Sequence, residues 1–192
     1  MRIGVIIGST RRGRKGAQVA SWVATAAEKA DAATTSGATF ELIDISEHNL
    51  GFFEDDQHPA MANKQYSNPA TQTWSDVIDA YDAFIFVTPE YNHSVPASMK
   101  NAFDMLFAEW AHKPVGFVGY GAAGGIRAVE HWRAIVANVY MLDARQQLSF
   151  FLETDFVDNT LMPNPVLETN LAALVEELVT LTQASKTLRA TT

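Results

Sequence analysis

The sequence predicts an α/β fold in one domain: an open, doubly wound parallel sheet of five strands with helices on both faces, a three-layer sandwich. Three observations carry this. Short apolar runs alternate with segments of helical periodicity along the chain. The run from Ala83 to Thr88 is continuous (Phe84, Ile85, Phe86, Val87), as in a central parallel strand covered on both faces. Glycine-, proline- or asparagine-rich turns follow the first, third and fourth runs. A chain of 192 residues with 47% apolar content is large enough for one substantial core, so residues 1–192 are read as one unit.

The first strand is Ile3, Val5, Ile6 and Ile7, followed by a helix over 17–30 that places Val19, Trp22, Val23, Ala26 and Ala30 on one face. Thr39 to Ile45 reads as a second strand through Phe40, Leu42 and Ile43. From Ser46 to Tyr66 the acids, turn residues and scattered aromatics are too irregular for either period, so a long surface loop is expected. Asn68-Pro69 caps a second helix carrying Ala70, Trp74, Val77, Ile78 and Tyr81. After the third strand, Pro96 opens a helix with Met99, Phe103, Leu106 and Phe107 on one side. A fourth strand follows around Val115 to Gly119, then a helix with Ile126, Val129, Trp132, Val136 and Val139. Met141 to Phe151 holds a fifth strand, and Asn164-Pro165 caps a last helix bearing Leu167, Leu171, Leu174, Leu178 and Leu181. Five strands thus alternate with five helices, joined by right-handed crossovers.

Composition narrows the function. A net charge of -8 argues against general binding to nucleic acid or to an anionic membrane, since both need a basic surface. With no cysteine there is no disulfide, thiolate nucleophile or cysteine metal site, and the histidines His48, His58, His93, His112 and His131 lack metal spacing, so no metal is expected. No apolar run approaches a membrane span and the chain opens on a core strand, which predicts a soluble, cytoplasmic protein.

Against that acidic background one segment is basic. Gly8-Ser9-Thr10-Arg11-Arg12-Gly13-Arg14-Lys15-Gly16 joins the first strand to the first helix. Small residues let backbone N–H groups turn inward, the helix start adds partial positive charge, and Arg11, Arg12, Arg14 and Lys15 can neutralise an anion. A charge run is usually a solvated face; its place at a strand-to-helix turn favours a phosphate cradle. In doubly wound sheets ligands bind beyond the carboxyl ends of the strands where strand order reverses. An order of 2-1-3-4-5 brings this loop together with Pro89 to Val95 and Tyr120 to Gly125 at one crevice. Two motifs are near misses. Gly8 to Lys15 resembles G-x-x-x-x-G-K-[ST] but has Arg14-Lys15 where Lys and a hydroxyl are required. Gly119 to Gly124 reads G-x-G-x-x-G with Asp143 beyond it, but too few β-α units remain for a dinucleotide half. No G-x-S-x-G elbow supports a serine hydrolase.

Gly8-Ser9-Thr10-Arg11, Pro89-Glu90-Tyr91-Asn92 with Pro96 and Lys100-Asn101-Ala102, and Gly121-Ala122-Ala123-Gly124-Gly125-Ile126-Arg127-Ala128, in that order at three strand ends, resemble the NAD(P)H-dependent FMN reductase family. That family is flavodoxin-like and includes flavin, quinone, azo-dye and chromate reductases, so free flavin, a quinone, an azo compound or chromate is the kind of acceptor implied. The resemblance implies that Ser9, Arg11 and the backbone through Gly16 hold the phosphate of FMN. Many members carry Ser at the position of Arg14 and Asn at that of Gly16, so Arg14 and Lys15 stand as candidate substitutes. Pro89, Glu90, Tyr91 and Asn92 would edge the isoalloxazine, with Gly121, Gly124 and Gly125 at its other end, their missing side chains making room for a flat ring. His93 would sit beside the ring, within reach of a substrate.

The implied activity passes a hydride from NADPH or NADH through bound flavin to a small-molecule acceptor, with no catalytic side chain required because the flavin carries the chemistry. The resemblance further implies a homodimer or homotetramer; Leu50, Phe52, Phe53, Phe107 and Trp110 would suit the contact or finish the core. A flavodoxin-type electron carrier and a flavin-fold binding module without catalysis are the alternative functions.

Overall fold

Strict alternation in β1 (Arg2–Ile7) sets the layers. Ile3, Val5 and Ile7 join an apolar cluster on one face, and Ile6 joins a second cluster on the other. The computed structural model describes residues 1–189. In chain order it contains α1 (Gly16–Ala27), α2 (Asp31–Ser36), β2 (Thr39–Asp44), a 3₁₀ turn (Ile45–Glu47), α3 (Pro59–Ala62), α4 (Pro69–Asp79) and β3 (Ala83–Pro89). Then come α5 (Ala97–Asp104), β4 (Pro114–Gly121), α6 (Ile126–Asn138), β5 (Leu142–Phe151), a hairpin of β6 (Phe156–Val157) and β7 (Thr160–Leu161), and α7 (Pro165–Arg189).

The main sheet has the order β2-β1-β3-β4-β5 with every neighbouring pair parallel, the flavodoxin-like arrangement. Ile6 lies between Ile43 and Phe86 in register, so β1 is flanked by both branches of the chain and strand order reverses there. Under one face, Val19, Val23, Leu171, Leu174 and Leu178 of α1 and α7 cover Val5, Ile85 and Val118. On the other face the packing is aromatic. Phe86 makes edge-on contacts with Phe103, Trp110, Phe117 and Trp132 at centroid distances of 6.2, 6.0, 5.9 and 5.4 Å. The three tryptophans of this face are buried with their indole N–H groups satisfied: Trp74 donates to the Ala102 carbonyl, Trp110 to that of Phe103 and Trp132 to Thr88 Oγ1.

The structure corrects the sequence expectation in four places. The simple alternation of five strands with five helices becomes seven α-helices and an added hairpin among the described residues. The helix expected over 17–30 ends at Ala27, Ala30 is extended, and α2 follows without an apolar stripe to announce it. The Ser46–Tyr66 loop contains most of the 3₁₀ turn and all of α3, a single turn capped by His58 Nδ1 accepting from Ala60 N–H. The helix after Pro96 stops at Asp104, so Leu106 and Phe107 pack from beyond its end, and Ile126 and Leu42 are exposed instead of lying on a buried stripe.

Candidate active site

The turn after β1 meets the start of α1 with Ser9 fully buried and Thr10, Arg11, Arg12 and Gly13 exposed. Gly13 takes φ +69°, turning the chain back toward the helix. Helix α1 begins without a side-chain cap: Gln18 N–H turns back to the Lys15 carbonyl at 3.0 Å, and the Gly16 and Ala17 N–H groups at the mouth of the loop have no such bond among the described residues. The four cations divide. Arg14 forms a half-buried ion pair with Asp44 at the end of β2, and Asp44 also accepts from Ser46 N–H and Oγ at 3.0 and 2.8 Å. Lys15 Nζ donates to Asn159 Oδ1 at 2.7 Å and lies over the Phe156 ring at 4.8 Å, both in the β6–β7 hairpin. Arg11 and Arg12 carry no ion pair among the described residues and point to solvent. Beneath the loop, the Ser9 and Tyr120 hydroxyls are buried with no hydrogen-bond partner among the described residues.

Pro89 ends β3 opposite Tyr120, and Glu90 N–H donates to the Tyr120 carbonyl at 3.2 Å. The chain then makes a two-residue turn. Tyr91 and Ser94 exchange backbone hydrogen bonds of 3.0 and 3.1 Å, with Asn92 and His93 at φ 48° and 72°. That pair of positive φ angles is the geometry of a tight hairpin turn, which asparagine tolerates well. Tyr91, Asn92 and His93 are consequently presented at the surface.

One face of α6 holds this turn. Arg127 donates to the Glu90 carboxylate from its guanidinium at 2.6 Å and its backbone N–H at 3.1 Å. One helical turn later His131 Nδ1 meets Ser94 Oγ at 2.8 Å. Burial pushes the Glu90 carboxyl upward, but the Arg127 contacts outweigh it and hold the group below the usual glutamate range. The turn after β3 is therefore fastened to α6.

In the third loop Gly124 and Gly125 have φ 68° and 69°. A Cβ on Gly125 would lie 2.4 Å from Tyr120 N, and one on Gly124 2.8 Å from the Phe151 ring. Gly121, Gly124 and Gly125 are all buried. At Gly124 and Gly125 the space a side chain would take is filled by Phe151 and by the loop folding back onto its own strand, whereas a Cβ at Gly121 would make only ordinary contacts, 3.5 Å from Glu90 Cβ and Gly125 N.

The sheet topology thus brings the three loops to the carboxyl ends of β1, β3 and β4. They assemble free cations, uncommitted helical N–H groups, two unpaired buried hydroxyls and a rigid polar turn. This donor set suits a phosphate beside a flat polar edge, as the phosphate and ring of FMN require. The sequence pattern of the NADPH-dependent FMN reductase family matches residues 1–154. The chain belongs to that family.

The NAD(P)H-dependent FMN reductase of Saccharomyces cerevisiae is 32% identical over 145 residues, covering 73% of this chain and 76% of that protein. Two other fungal FMN reductases are spanned over 63% and 60% of their length. A 2-hydroxy-1,4-benzoquinone reductase of a Burkholderia species is 30% identical over 144 residues, 71% of this chain and 70% of that protein. Among solved structures, a flavoenzyme NAD(P)H:acceptor oxidoreductase of Paracoccus denitrificans superposes with TM-score 0.69 at 20% identity, covering 96% of this chain and 98% of that one. The family reading is that of a flavin-using oxidoreductase enzyme.

Several residues that shape the site carry no mark of that role in the sequence. Asp44 and Asn159 tie down Arg14 and Lys15 from 30 and 144 residues away, with no local signal. Tyr120 reads as one more core aromatic. Arg127 and His131 were detectable: they are four apart on a helix, the spacing that puts two side chains on one face.

Proposed function

We propose that the protein is an FMN-dependent NAD(P)H reductase that holds the FMN phosphate in the Ser9–Gly16 loop and passes electrons to a small acceptor such as free flavin, a quinone, an azo compound or chromate. The carrying observation is the division of the basic run, in which Arg14 and Lys15 are spent on Asp44 and Asn159 while Arg11 and Arg12 remain open beside an uncapped helix. Ser9, Arg11 and the N–H groups leading to Gly16 hold the phosphate; Arg14 and Lys15 fix the loop. Pro89, Glu90, Tyr91 and Asn92 edge the ring on one side and the Gly121–Gly125 backbone on the other. When bound, the flavin supplies the hydride chemistry, accepting from the nicotinamide and passing electrons to the acceptor. The chain's own task is to bind and orient the flavin and leave one ring face open, with the Tyr91–Ser94 turn held in place by His131 and Arg127.

The same reading makes the protein a soluble cytoplasmic enzyme acting as a homodimer or homotetramer. Phe52 and Met61, 83% and 75% exposed on the segment before α4, support a subunit contact, and no described helix is long and apolar enough to cross a membrane. Trp110, by contrast, is core. Sedimentation velocity tests the assembly.

Equilibrium titration with FMN tests the site. A charge-assisted contact contributes roughly 1.5–3 kcal/mol, so Arg11→Ala is expected to weaken FMN by about one to two orders of magnitude. Unchanged affinity refutes the assignment.

A further inference from the structure

The geometry points to Tyr120 as an additional ligand of the phosphate site, its hydroxyl delivered from β4 into the volume that glycine at position 16 leaves open. This rests on the reading of the Ser9–Gly16 loop as the phosphate cradle. Ser9 is 0% and Tyr120 5% exposed, and neither hydroxyl has a hydrogen-bond partner among the described residues. A Cβ built on Gly16 would lie 2.5 Å from Ser9 Oγ and 2.6 Å from the Tyr120 hydroxyl. The two oxygens therefore converge on one small volume under the first turn of α1, next to N–H groups that no side chain caps.

Buried hydroxyls without partners are rare because each forfeits the hydrogen bonds it made in water. Two of them, side by side at a helix start, make a donor set whose natural complement is an oxyanion. Tyr120 remains a donor there. Burial pushes its phenol up to about 12 against the pull of the adjacent Ser9 hydroxyl, which stands close to it without the alignment of a hydrogen bond, so it stays protonated across the physiological range.

Both oxygens lie beneath the loop, whose two halves differ in how firmly they are held. Arg14 and Lys15 are tied to Asp44 and Asn159. The tip from Thr10 to Gly13 is exposed, and a single backbone bond, Arg14 N–H to the Arg11 carbonyl at 3.2 Å, closes it. An anion reaches the hydroxyls by displacing the tip while the anchored half keeps its place.

The test is fluorescence titration of wild type, Tyr120→Phe and Gly16→Ala with FMN and, separately, with riboflavin, which has the ring and no phosphate. Tyr120→Phe is expected to weaken FMN about tenfold and riboflavin by less than about twofold, the loss of one hydrogen bond to a charged group. Gly16→Ala, whose methyl displaces both hydroxyls, is expected to weaken FMN selectively too, and by a smaller factor once Tyr120 is already Phe. FMN affinity unchanged in Tyr120→Phe overturns the assignment. So does an equal loss for riboflavin, which marks a packing effect. If Tyr120→Phe does not fold, Gly16→Ala decides alone, and unchanged FMN affinity or an equal loss for riboflavin in that variant overturns the assignment. A wild type that fails to prefer FMN over riboflavin rejects the phosphate-cradle reading itself, a result visible before any substitution is made.

Discussion

Replacing Glu90 with Gln is expected to unfasten the turn at the ring edge in a pH-dependent way. The Glu90 carboxylate takes two donors from Arg127, at 2.6 and 3.1 Å, and its side chain is only 9% exposed while that of Arg127 is 45% exposed. A charge-assisted hydrogen bond contributes about 1.5–3 kcal/mol when sheltered, and an exposed ion pair about 0.2–1 kcal/mol. The half-exposed guanidinium places this pair toward the lower range. Glutamine retains one neutral acceptor, so the expected loss at neutral pH is about 1 kcal/mol, or about 2–4 °C in Tm for a chain of this size. The sign follows from Glu90 being held below its ordinary range. A depressed carboxyl contributes stability that is fully present above the unfolded value and disappears as pH falls through the folded one. Denaturant unfolding of wild type and Glu90→Gln at neutral pH, and then in steps from about pH 5 to about pH 3, reads the difference. It shrinks toward zero on acidification. A difference that stays constant refutes the ion-pair argument and assigns the loss to shape alone.

Other outcomes follow from the same structure. Gly13→Ala and Gly125→Ala both force a methyl into a left-handed residue, but a Cβ at Gly13 meets nothing within 4 Å while one at Gly125 lies 2.4 Å from Tyr120 N; thermal melts are expected to show about 1–2 kcal/mol lost at Gly13 and failure to fold stably at Gly125. Lys113 is buried, with Nζ donating to the Ile78 and Asp79 carbonyls at 2.9 and 3.1 Å, and burial lowers its pKa to about 8. Because the unfolded chain binds that proton up to about pH 10.4, wild-type stability gains a rising component between about pH 8 and 10, which Lys113→Met abolishes in denaturant titrations. Glu109 is fully buried and accepts from Ser75 Oγ at 2.5 Å, Tyr66 OH at 3.2 Å and Phe107 N–H at 3.2 Å. Ser75→Ala strips one partner from that carboxylate and is expected to cost about 1–3 kcal/mol in unfolding free energy, whereas an unchanged midpoint would show the Ser75 bond to be dispensable.

The parts of the fold that were legible in the sequence are those where burial dictates a repeating pattern. β3, covered on both faces, is an unbroken apolar run, and α4 and α7 announce themselves through an Asn-Pro cap and a regular apolar stripe. Where burial is slight the pattern fades. α2 reads Asp-Ala-Ala-Thr-Thr-Ser with Ala33 alone buried, so no period marks it. The β6–β7 hairpin has two residues per strand, too short for alternation; its one signal is the Asp158-Asn159 pair, which takes φ 47° and 66° in a two-residue turn flanked by Val157 and Thr160. The site divides the same way. Strand ends and turn residues placed the three loops correctly at one edge of the sheet, since topology alone decides that. What each side chain does there was not legible, because Arg14 and Lys15 find their partners on β2 and on the hairpin, elements far away in the chain. The glycines of the third loop were legible as a turn, but the close packing of Gly125 against Tyr120 and of Gly124 against Phe151 was not.

The central claim is that bound FMN passes electrons from a nicotinamide to a small acceptor at these three loops. Stopped-flow mixing of the FMN-loaded protein with NADPH under anaerobic conditions, followed by addition of a benzoquinone, tests it most directly. The flavin's visible absorbance is predicted to bleach within the mixing experiment and to return when the quinone is added. A flavin that stays oxidised under NADPH, or a protein that takes up no FMN, contradicts the account.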